Sequence, residues 1–96
     1  IQVIQNNLAR LLSQKGSAAF SPEEALALAT KLNEKTKNKN PVYLDTLAAT
    51  LHAAGNSTRA AKTARTAVDL AIRKSMLPLA KAISDQVLIY EAAANQ

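Results

Sequence analysis

The chain reads as an all-α protein: five short helices, paired as two antiparallel hairpins and closed by one last helix. Apolar residues recur at helical spacing in successive stretches. The breaks between those stretches hold residues that start and stop helices, namely Ser21-Pro22, Asn40-Pro41, Gly55 and Pro78. Alanines stand where two helices must touch. With 48% hydrophobic residues and only 3% aromatics, drawn mostly from Ala and Leu, the composition favours helix over sheet.

The first helix spans Ile1 to about Ser13, with Ile1, Ile4, Leu8, Leu11 and Leu12 on its apolar side. Gln14 to Phe20 interrupts it around Gly16 and Ser17. Ser21-Pro22-Glu23-Glu24 then has the form of a capping box: a serine cap, a first-turn proline and a glutamate three residues after the serine. Ala25, Leu28, Ala29 and Leu32 form the stripe of the second helix. It runs out through Lys31, Lys35, Lys37 and Lys39, cations that suit the negative end of a helix dipole.

Asn40-Pro41 restarts the chain as cap and first turn, and Tyr43, Leu44, Leu47, Ala48 and Leu51 give the third stripe. Gly55 ends this helix, because glycine takes the left-handed closing conformation without strain. Asn56 or Ser57 caps the fourth helix, whose stripe is Ala60, Ala61, Ala64, Ala67, Val68, Leu70 and Ala71. After the break at Ser75 to Pro78, a fifth helix runs from about Leu77 to Glu91, apolar at Leu79, Ala80, Ile83, Val87 and Tyr90. The tail from Ala92 to Gln96 is expected to fray.

The two hairpins echo one another. Leu8, Ala9 and Leu12 repeat as Leu47, Ala48 and Leu51, and Ala25, Ala29 and Leu32 as Ala60, Ala64 and Ala67. Small residues at a crossing allow axes to approach to the usual 8–10 Å. On these residues, with Leu44, Gly55 and Leu70, the chain resembles the tetratricopeptide repeat family over nearly its whole length. It departs from the family pattern where Leu44, Leu51 and Ala64 stand in place of aromatics, and in the extra residues from Ser13 to Phe20. The resemblance implies one helical domain over 1–96, a right-handed α-α superhelix of hairpins at about 1–37 and 40–74 with a capping helix at about 77–91. The run from Asn40 to Ala48 and the ending Leu88-Ile89-Tyr90-Glu91-Ala92 resemble a bacterial subtype, which implies a C-terminal repeat segment of a larger protein, some of that kind being membrane-anchored. The start at Ile1 leads to the same expectation of a cut piece, and the compartment stays open.

Composition narrows the function classes. There is no cysteine, hence no disulfide framework and no thiolate metal site. His52 is the single histidine, with no second histidine to complete a metal site that needs three or four ligands. Two distant glycines make no phosphate loop, and Glu23-Glu24 is explained by helix capping. The expectation is therefore binding rather than catalysis, with no cofactor and no metal. No apolar run reaches the roughly 20 residues that span a bilayer.

Stacked hairpins make binding surfaces, and two and a half of them leave faces uncovered. By resemblance, the first helix of each hairpin lines a concave groove. That assigns Val3, Asn6, Arg10 and Ser13 from the first helix, and Val42, Asp45, Ala49 and His52 from the third. The implied role is a scaffold or adaptor whose groove holds a helix or extended peptide of a protein partner. Asp45 would repel a carboxylate clamped there. The apolar side of the first helix, through Ile1, Ile4 and Leu11, is a candidate self-association face, so an oligomerisation or spacer module is one alternative. Arg59, Lys62 and Arg65 form a basic ridge in a chain of net charge +5, and a weak binder of nucleic acid or of an anionic surface is the other. Stacking aromatics are limited to Phe20, Tyr43 and Tyr90, which disfavours nucleic acid.

Overall fold

A computed structural model describes residues 1–96 as five helices and no strand. They are α1 (Gln2–Leu12), α2 (Pro22–Lys35), α3 (Pro41–Ala53), α4 (Ser57–Arg73) and α5 (Leu77–Ala94). α5 continues through Ala92 to Ala94, where fraying was expected. Those three alanines are the best helix formers available, and the helix has no stop signal before Asn95.

Helix starts follow their cap chemistry in two cases. The Asn40 side chain accepts from the Val42 and Tyr43 amides, and Asn56 accepts from Arg59. The capping box at Ser21 does not form: its hydroxyl makes no cap bond. The Ser21 amide instead donates to the Leu12 carbonyl at 2.8 Å, tying the start of α2 to the end of α1.

The ends of α2, α3 and α4 share one device. The Asn56 amide reaches back to Leu51 O at 2.9 Å and Gly55 to His52 O at 3.0 Å, with Gly55 at φ +91°. This doubled turn satisfies carbonyls that a helix end leaves open. Met76 to Ala71 and Ser75 to Ile72 repeat it after α4, and Asn38 to Asn33 and Lys37 to Glu34 after α2. There the left-handed positions are Ser75 (φ +59°) and Lys37 (φ +56°) rather than glycine.

The core is thin and built on close approach. Ala9, Ala25, Ala48, Ala60, Ala64, Ala67 and Ala71 are all 0% exposed, so neighbouring backbones meet with little between them. Leu44, Leu51, Ile83, Val87 and Tyr90 fill the larger spaces around the α4 alanines. Each such side chain contributes about 1.5–3 kcal/mol by leaving water. Thr46 and Thr50 are fully buried on α3, and their hydroxyls bond back to Val42 O and Leu47 O.

α3 is the hub. It packs against all four other helices, whereas neither α1 nor α2 packs against α4 or α5. The five helices form a compact body measuring 36 × 35 × 20 Å in which the α1–α2 pair reaches the α4–α5 pair only through α3. No helix is long and apolar enough to cross a membrane.

Candidate interaction groove

Because α1 and α5 do not meet, they stand as two walls with α3 as the floor between them. The resulting cleft of about 320 Å³ is lined by Arg10, Ser13, Gln14 and Lys15, by Ala49, His52 and Ala53, and by Gln86, Ile89 and Tyr90. Residues far apart in the chain thus converge from three helices on one cleft.

A polar chain crosses this floor. Arg10 Nη1 donates to Thr46 Oγ1 at 3.0 Å and lies 3.5 Å from Asp45 Oδ2. These two contacts pin a guanidinium that is otherwise partly exposed. Asp45 is 17% exposed in its side chain, and burial raises its pKa above the ordinary 3.8 while the Arg10 charge and hydrogen bond work to lower it. The pKa of Tyr90 is also raised, first by burial and then by the Asp45 charge, with Arg10 opposing. Its phenol therefore stays protonated at neutral pH, a donor at the cleft wall. The His52 ring lies 5.0 Å from the Tyr90 ring at a tilt of 41°, and His52 Nδ1 shares a 2.9 Å hydrogen bond with Ser57 Oγ. Both contacts fix the imidazole in place.

The residues assigned from sequence separate into three groups. Arg10, Ser13, Ala49 and His52 line the cleft, with Asp45 just behind Arg10. Val3 is exposed and Val42 half-buried, both outside the cleft lining. Asn6 is 6% exposed: it turns into the packed side of α1 rather than the open groove, and its Oδ1 has no hydrogen-bond partner. Of the basic ridge, Arg65 is bound to Glu91 at 2.7 Å, while Arg59 and Lys62 stay unpaired.

Sequence reasoning missed the whole α5 wall. Gln86, Ile89 and Tyr90 have the i, i+3, i+4 spacing of one helix face, which was the available signal. Tyr90 was read only as core, yet it serves core and cleft at once. No three His, Asp or Glu side chains converge anywhere in the chain. No family model, curated protein or solved structure matches this chain.

Proposed function

We propose that this chain is a protein–protein interaction segment, a scaffold or adaptor of tetratricopeptide type, whose groove between α1 and α5 holds a helix or an extended peptide. The observation that carries this is the pinned Arg10 beside a desolvated Asp45. Burial works against the Asp45 charge, and a perturbed charged pair at the edge of a cleft is a candidate binding feature. The mixture along the cleft supports recognition rather than chemistry: small apolar positions at Ala49 and Ala53, an isoleucine wall at Ile89, and fixed donors at Arg10 and Tyr90. The one hydroxyl paired with a base near it is the half-buried contact of Ser57 with His52, and Ser57 does not line the cleft. An extended or helical ligand suits a trough walled by α1 and α5.

Selection of random peptides on the immobilised chain tests this. Selected peptides should lose at least tenfold in affinity on Ala49→Trp, which fills the trough, and keep their affinity on Arg59→Ala. Peptides that bind the filled variant equally well would overturn the groove. A second reading, self-association, has its own observation. Ile4 is 69% exposed on α1, and Ile1, Leu8 and Leu11 are also exposed. Light scattering across a dilution series separates it, since a clean monomer at all concentrations removes this reading.

A further inference from the structure

On the face of α3 turned away from the groove lies a second hollow, of about 360 Å³. Leu44 and Leu47 form its floor. Arg59, Lys62 and Thr63 of α4 line one side, and Asn38, from the turn between α2 and α3, closes it. The spacing of Arg59, Lys62 and Thr63 is i, i+3, i+4, so all three leave one face of α4. Arg65 leaves a different face and is taken by Glu91. The basic ridge legible in the sequence is thus divided, and what remains of it is a hollow rather than a row.

The charges in this hollow are unbalanced. The three ion pairs of the chain join Arg10 to Asp45, Arg65 to Glu91 and Lys81 to Asp85, leaving Arg59 and Lys62 free. No carboxylate lines the space. Lys37 and Lys39 flank Asn38 and are exposed, which adds to the positive field at its mouth. Asn38 is not loosely placed, because its amide is bonded to Asn33 O at 2.8 Å and its φ is +57°.

We propose that this hollow binds a phosphate monoester. A guanidinium fork grips two oxygens side by side, an ammonium supplies a point charge, and the Thr63 hydroxyl and the Asn38 side-chain amide supply further donors. That set exceeds what a two-oxygen carboxylate can use, and it matches the three terminal oxygens of a phosphate monoester carrying about −1.5 to −2 charge at pH 7. The two leucines accommodate the carbon side of the ester. The residues are disjoint from those of the groove, so this site and the groove stand or fall separately.

Titration with inorganic phosphate at constant ionic strength, followed by backbone and side-chain NMR, tests the site. Saturable shifts should concentrate at Asn38, Arg59 and Thr63, with phosphate binding several-fold tighter than acetate. Arg59→Ala combined with Lys62→Ala should weaken phosphate at least tenfold, with an unchanged melting temperature, whereas Lys31→Ala combined with Lys35→Ala should leave it unchanged. Shifts that fail to saturate, that acetate reproduces, or that spread evenly over Lys31, Lys35 and Lys74 would overturn it. Two further arms give the source of the ester. Sedimentation with phosphatidic acid vesicles, abolished by the double Arg59 and Lys62 variant, assigns it to a lipid. Binding of glycerol 3-phosphate without sedimentation assigns it to a soluble molecule.

Discussion

Asp45 sits in a setting that works against its charge. Burial raises its pKa from the ordinary 3.8, and the Arg10 charge only partly offsets this. A folded-state pKa above the unfolded one means that the native chain holds more protons between the two values. The Asp45 contribution is therefore fully present below the unfolded pKa and is lost as pH rises through the folded one. Asp45→Asn keeps the shape and removes the charge. Urea midpoints of this variant should gain on the parent as pH rises from about 3.5 to 7, because the variant lacks that loss. A gap that moves in the parent's favour would show that Arg10 attraction outweighs burial. Asn33 is 1% exposed, with Nδ2 donating to Ala29 O at 2.8 Å and Tyr43 O at 2.9 Å while its Oδ1 has no partner. It joins α2 to the first turn of α3. Asn33→Ala should cost about 1–3 kcal/mol in chemical denaturation. An effect near zero would mean that the Tyr43 carbonyl gains nothing from this second partner.

At the level of elements, three turns have one geometry and three different residues at the same left-handed position. Gly55 suits it, and no atom lies within 4 Å of where a Cβ would sit, so Gly55→Ala should lose about 1 kcal/mol through the backbone alone. Ser75→Gly should gain a similar amount, read as a rise in melting temperature. If the two shifts have the same sign, the shared turn does not govern stability. This also marks the limit of what local sequence shows. Asn40-Pro41 and Gly55 announce α3 at both ends because each residue acts on its own neighbours. Lys37 and Ser75 carry no such mark, since their conformation is imposed by the helices they join. Ser21 has the pattern of a cap without its bond because α1 holds its amide from outside the local sequence. The burial of Asn6 and the approach of Tyr90 to His52 depend on which helix neighbours which, and apolar spacing within one helix does not determine that.

For the whole molecule, the contact pattern divides stability unevenly. α1 packs only on α2 and α3, so that end can open while the α3–α5 part stays formed. α1 contributes only Asn6, Ala9 and Leu12 to the buried set, whereas α3 contributes Pro41, Tyr43, Leu44, Thr46, Ala48, Thr50 and Leu51. α4 and α5 share their apolar cluster with α3 and not with α1. Native-state hydrogen exchange should therefore grade along the chain. Amides of α1 should exchange fastest, those of α2 next, and those of α3, α4 and the α4-facing side of α5 slowest, near the global unfolding limit. A ligand seated in the groove spans α1, α3 and α5, so it should slow exchange in α1 more than in α4. Its binding would join the weakest wall to the α3–α5 core. Uniform protection in the free chain would mean that α1 unfolds only with the rest. The trough would then be a rigid slot, not a pair of walls of which one can yield to admit its ligand.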